Sequence, residues 1–194
     1  TEPLVLLPGF IDSHTHICFA GDRASDYAMR ISGKSYQEIA LNGGGITSTV
    51  AHTRDASEQE LTELLLHRCD KQMQNGVTTC EVKSGYGLSV EGELKMLRAI
   101  RTVNQSHQIS LISTCLAAHT KPEEFSTKGE YINFAVKEIL PQVKLHNLSN
   151  RADIFVDTIA FDGQQARLYL DAAKNLGFEI TIHADQFSSL GSRL

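Results

Sequence analysis

No run of apolar residues is long enough to cross a bilayer. The longest unbroken ones, such as Leu4 to Leu7, fall far short of a span or a secretory core. Positive charge is not in excess either: 18 Lys and Arg stand against 23 Asp and Glu, a net charge of −5. That balance argues against a nucleic-acid partner, whose affinity comes mainly from cations on phosphates. The four cysteines, at 18, 69, 80 and 115, form no CxxC pair and no disulfide framework, so they read as small buried apolar residues in a reducing compartment. No charged-then-apolar leader is visible, and the expected location is the cytoplasm. There is no G-x-x-x-x-G-K-[ST] loop, because Gly43-Gly44-Gly45 lacks the lysine, and Gly87-Leu88-Ser89 lacks the later glycine of a nucleophile elbow.

What is present is 194 residues, 41% hydrophobic and 21% charged, enough to bury a sizeable core. Apolar runs rich in β-branched residues alternate with segments of helical period, the pattern of repeated βα units on a parallel sheet. Five strands are predicted, over Phe10–Ile17, Val77–Lys83, Ile109–Ala117, Asp153–Asp157 and Glu179–His183. A capping box at Ser57-Glu58-Gln59-Glu60 opens one helix, and Gly76 closes it in the left-handed conformation. Leu94, Leu97, Ile100 and Val103 mark the core face of a second helix, a third runs over about Tyr131–Val143, and Ala166, Leu170 and Ala173 mark a fourth before Gly177. Gly21 to Ala56 reads as a long insertion after the first strand, and long loops there are usually functional. Five strands do not close a (β/α)8 barrel, which typically takes about 250 residues. From the pattern alone, an open doubly wound sheet is the other architecture.

The sharpest local feature is His14-Thr15-His16 at the end of the first strand. Alternate strand residues share a face, so the two imidazoles project together, as two ligands of one metal must. A plain pair of strand histidines is the competing reading. His183 ends the fifth strand and brings a third nitrogen to the same rim, which suits zinc or iron(II). His119 follows the third strand, Tyr86 stands between two glycines after the second, and Arg23 follows the first with a planar fork suited to a carboxylate. Arg23 as a solvated charge and Tyr86 as a turn-packing ring are the bland alternatives. His52, His67, His107 and His146 lie on helices or their ends and read as surface or packing residues.

With HxH on the first strand and His ending the fifth, the chain resembles the metal-dependent amidohydrolases. Phe19-Ala20-Gly21-Asp22-Arg23-Ala24, Ile31-Ser32-Gly33-Lys34-Ser35-Tyr36, Gly43-Gly44-Gly45-Ile46, Gly76-Val77-Thr78-Thr79, Glu81-Val82-Lys83-Ser84-Gly85-Tyr86-Gly87-Leu88, Glu93-Leu94-Lys95-Met96-Leu97-Arg98 and His183-Ala184-Asp185-Gln186 narrow the likeness to the imidazolonepropionase family. The resemblance implies an α/β fold of (β/α)8 TIM type, of which residues 10–194 carry about the first five units. Residues 1–9 would be a remnant of the small flanking β-sandwich with its linker.

It implies hydrolysis of the cyclic amide of 4-imidazolone-5-propanoate to N-formimidoyl-L-glutamate in histidine breakdown, by water that one divalent ion, zinc or iron, activates against the ring carbonyl. It implies His14, His16 and His183 as metal ligands, Arg23, Tyr86, His119 and Gln186 as substrate contacts, and His183, Gln186 and His119 as the catalytic set. Other members carry glutamate where Gln186 stands, so Gln186 is left with hydrogen bonding. Tyr86 and His119 would donate to the ring or the developing oxyanion. The family's last ligand, an aspartate of the eighth strand, would lie beyond Leu194, so the chain is expected to be part of a longer enzyme. Expected partners are a small anionic substrate, with no nucleic acid and no membrane; a homodimer is open. Other amidohydrolases, deaminase-like or dihydroorotase-like, and a non-catalytic barrel are the alternatives. The fourth strand carries no lysine at its end for a two-metal site.

Overall fold

The computed structural model describes residues 4–35, 38–39 and 43–189. Residues 1–3 of the N-terminal remnant and Tyr36 of one family stretch lie outside the described residues.

All five expected strands form, within a few residues of their expected ends. They are β1 (Phe10–Thr15), β2 (Val77–Lys83), β3 (Ser110–Ala118), β4 (Arg151–Val156) and β5 (Glu179–Ala184), every neighbouring pair parallel and in the order β1-β2-β3-β4-β5. A doubly wound sheet reverses its strand order at a switch point. This one advances in a single direction and curls, so the doubly wound alternative is set aside in favour of part of a TIM-like barrel. Among the described residues β1 and β5 are the two edges. Leu4 to Leu7 lie exposed and form no strand.

Helices fill the connections between the strands. They are α1 (Ala24–Ile31), α2 (Ile46–Asp55), α3 (Glu58–Gln74), α4 (Val90–Ser106), α5 (Lys128–Phe134), α6 (Leu140–Leu145) and α7 (Gly163–Asn175). The expected stripe of α4, Leu94 to Val103, is buried with Leu61, Leu65 and Cys69 of α3 and Ala166, Leu170 and Ala173 of α7, against Cys80, Val82, Ala152, Ile154 and Val156 of the strands. Buried apolar groups that leave water in this way are the main stabilising contribution. All four cysteines are buried and free, and burial pushes the thiols of Cys18 and Cys115 up to about 12, which leaves them inert.

Three local expectations need correction. Ser57 caps α3 by accepting from the Glu60 N–H at 3.1 Å, but the reciprocal half of the capping box does not form, although Gly76 closes the helix at φ +85°. The helix expected over 131–143 is α5 and α6 joined by a wide π turn, Ala135–Ile139. The widening falls where Pro141, which has no N–H, cannot bond four residues back. The insertion after β1 is not an irregular loop, since it holds α1 and α2. Its β-branched and polar residues, Ile46-Thr-Ser-Thr-Val, carry little helical period to read.

Candidate metal centre and substrate cleft

Period 2 does what the sequence pattern requires at the end of β1. The rings of His14 and His16 leave on one face and meet His183 of β5, with centroids 5.3 Å (14 to 16), 4.3 Å (14 to 183) and 5.1 Å (16 to 183) apart. The Nε2 atoms of His16 and His183 stand 3.0 Å apart, and one ligand atom from each of the three residues fits within 4.8 Å of the others. Three imidazoles with converging nitrogens and no carboxylate among them fit a divalent ion of borderline character.

The protonation of His14 and His16 fits as well, since a ligating imidazole must be neutral. Burial, helped by the neighbouring histidines, lowers His16 to about 2; it lowers His14 too, with His183 and Lys83 adding to the effect. His119, fully inside, is lowered to about 4, mainly by burial. The sign of the linkage follows. An unfolded chain takes up protons on these rings near pH 6.5, whereas the folded chain takes them up at His119 only near pH 4 and at His16 only near 2. Stability of the metal-free protein should therefore hold above pH 6.5 and fall as the pH drops below it, by about 1.4 kcal/mol per pH unit for each excess proton. Thermal unfolding across pH 4 to 8 checks this, and a flat profile below 6.5 would contradict it.

The other four expected residues reach the same place. His14, His16, Arg23, Tyr86, His119, His183 and Gln186 line one cleft of about 300 Å³, with Ile46, Phe155 and Phe187 as apolar walls. Arg23 precedes α1 and donates from Nε to the Thr49 hydroxyl at 2.9 Å; its terminal nitrogens make no hydrogen bond among the described residues. It is thus a positioned fork rather than a solvated charge. Gln186 is exposed at the rim, turned there by Asp185 at φ +56°, and Phe187 N–H donates to Asp157 Oδ2 at 3.0 Å. A larger open depression of about 830 Å³ along the start of α7 contains no histidine.

Tyr86 rides on the loop after β2, and the loop is tied down by a residue that carried no functional signal in the sequence. Glu93 of α4, fully buried, accepts N–H bonds from Gly85 (3.1 Å), Gly87 (2.9 Å) and Leu88 (2.8 Å). Gly85 has φ +103°, and a Cβ there would fall 2.7 Å from the Leu116 carbonyl, so only glycine serves. Its carbonyl accepts from His119 Nδ1–H at 3.0 Å. This overturns the expected donor role of His119: with the proton on Nδ1, the neutral ring offers Nε2 as an acceptor.

Beneath the three histidines lies a charged cluster that the sequence did not reveal as one. Lys83 Nζ donates to Glu81 Oε1 and to Asp153 Oδ2, both at 2.6 Å, and Thr114 Oγ1 donates to the same Glu81 oxygen at 2.6 Å. All four are buried. Burial opposes ionisation of Asp153, but His183 and Lys83 outweigh it and hold its carboxyl at about 2. The signal available in the sequence was a charge at alternate positions of strands otherwise apolar, Glu81 with Lys83 and Asp153.

Among known proteins, the chain is 48% identical over 191 residues to the imidazolonepropionase of Shewanella amazonensis, which aligns with 96% of this chain and 46% of that protein. The imidazolonepropionase of Symbiobacterium thermophilum is 48% identical over 188 residues, 96% of this chain and 44% of that protein. That of Yersinia enterocolitica is 46% identical over 192 residues, 98% and 47%. The chain spans a little under half the length of these relatives. No family model matches it.

Proposed function

The chain belongs by sequence to the imidazolonepropionases, and from that premise we propose that it supplies the metal-binding and substrate-binding residues of an enzyme that opens the cyclic amide of 4-imidazolone-5-propanoate to N-formimidoyl-L-glutamate. The observation that carries this reading is the convergence of seven side chains, drawn from five separate stretches of sequence, on one cleft of about 300 Å³. Three imidazoles beside an arginine fork and an aromatic hydroxyl suit metal-assisted chemistry on a small anionic substrate.

His14, His16 and His183 would hold one divalent ion, zinc or iron, which when bound supplies Lewis acidity toward a carbonyl and acidifies water. The rest falls to the chain itself. Arg23, a fixed cation whose fork faces the cleft, takes the propionate carboxylate. The Tyr86 hydroxyl donates to the oxygen that gains charge as the carbonyl becomes tetrahedral, a contact worth about 2.7–4 kcal/mol when removed elsewhere. His119 Nε2 accepts a ring N–H and so orients the amide. Gln186 hydrogen-bonds at the rim, and Phe155 and Phe187 exclude water from the ring. The cytoplasm is the compartment proposed, and among the described residues no helix is long and apolar enough to cross a membrane.

The test is turnover of 4-imidazolone-5-propanoate, followed by ring absorbance, in the protein as the cell makes it. Arg23→Gln should lower kcat/KM about 10- to 150-fold, the value of a hydrogen bond to a charged group. An imidazolone without the propionate should not distinguish the two proteins. No ring opening, or the same loss with both compounds, would sink the reading.

A further inference from the structure

We propose that Asp153 of β4, held by Lys83 of β2, is a positioning residue that fixes the tautomer and ring direction of His183, with its proton on Nδ1 and its Nε2 lone pair turned to the metal locus. The proposal rests on the reading of His14, His16 and His183 as ligands, but it concerns residues that touch neither substrate nor ion.

The two ends of the His183 ring meet different groups. Nε2 faces His16 Nε2 at 3.0 Å, while Nδ1 lies 3.0 Å from Asp153 Oδ2. That Nδ1 contact is close but not aligned as a hydrogen bond, and both Nδ1 and Asp153 Oδ1 are buried without an aligned partner. A slight turn of the ring brings the N–H onto the carboxylate. Oδ2 already accepts from Lys83 Nζ at 2.6 Å, so this oxygen carries no proton to give to the ring, and the proton between the two groups belongs to Nδ1. The register explains the fit. Phe155 pairs with His183 across β4 and β5, and Asp153 two residues earlier points to the same interior face, one step beneath the imidazole. Lys83 reaches Asp153 from two strands away, and Glu81 balances its second hydrogen-bond direction. The lysine therefore sets where the Asp153 oxygens stand, and Asp153 sets the ring. Ligating histidines are commonly held by a carboxylate at the far nitrogen, and removing such a partner typically weakens metal binding about 10- to 100-fold.

Two measurements on the full chain test it, neither of them turnover. Nitrogen-15 NMR of the histidine rings in the metal-free protein should show His183 as the Nδ1–H tautomer, and a His183 that carries its proton on Nε2 would overturn the proposal, whether or not any variant folds. Zinc affinity, read by chelator competition, should fall about 10- to 100-fold in Asp153→Ala. Asp153→Asn, which keeps an acceptor oxygen for Nδ1, should recover most of that loss. Equal affinity in parent and Asp153→Ala, or Asn no better than Ala, would overturn it. A parent with the Nδ1–H tautomer that binds no zinc defeats the proposed reaction and leaves the orientation of His183 standing.

Discussion

Replacement of His16 by alanine is expected to abolish metal binding and, with it, imidazolone ring opening, while leaving the metal-free fold nearly as stable as before. His16 is the member of the trio whose Nε2 faces that of His183 at 3.0 Å, and its ring stacks on His119 at 5.2 Å. Loss of one of the three proposed histidine ligands should cost more than the roughly 10- to 100-fold in affinity typical of an outer partner. The stability argument runs the other way. His16 Nδ1 is buried without a partner, so the wild-type ring carries a polar penalty that alanine removes, which offsets the cavity it leaves. Bound zinc by elemental analysis and thermal unfolding of the metal-free protein check both halves. His107→Ala is the control, since that ring pairs with Asp70 at 3.1 Å at the end of α4, away from the cleft. Zinc retained by His16→Ala at the parent's level would remove His16 from the ligand set.

Lys83→Met should differ in its effect on the metal-free fold, with a large loss of stability from a residue that touches no proposed ligand. The ammonium is 2% exposed and lies between carboxylates 4% and 1% exposed. Methionine fills the space but leaves two buried negative charges facing each other, and breaking a buried pair in this way costs about 3–5 kcal/mol. For a chain of this size that is a fall in Tm of about 6–20 °C. The penalty should shrink as the pH is lowered, because Asp153 loses the lysine that helps hold its carboxyl low and gains a proton more readily. Chemical denaturation at pH 7 and pH 5 gives both values; a loss under about 1 kcal/mol at pH 7 would mean the cluster is solvated or already neutral. The two variants thus separate a group whose loss spares the metal-free fold from one whose loss does not.

The local pattern determined a good deal. Strand positions follow from short β-branched runs between helical stripes, and the shared face of His14 and His16 follows from the two-residue period of a strand, which holds whatever the strand packs against. Gly76 and Gly177 end α3 and α7 at φ +85° and +77° because no other residue takes that conformation so cheaply. Arg23, Tyr86 and His119 were legible as strand-end polar groups, and the family likeness, carried by motifs and not by period, drew them together.

What only the tertiary structure decided are the relations between residues far apart in the chain. Lys83 and Asp153 are 70 positions apart, and whether a strand lysine is a surface charge or the centre of a buried cluster depends on which strands neighbour it. Nothing in β2 alone carries that information. The hydrogen-bond polarity of His119 is likewise set by the Gly85 carbonyl 34 residues away, which takes the Nδ1 proton and reverses the role expected of the ring. Sequence period fixes which face a side chain leaves from, because that is a property of the backbone of one segment. Partners, protonation and the direction of a hydrogen bond are properties of the space between segments, and these were settled only when β1 through β5 came together beside it.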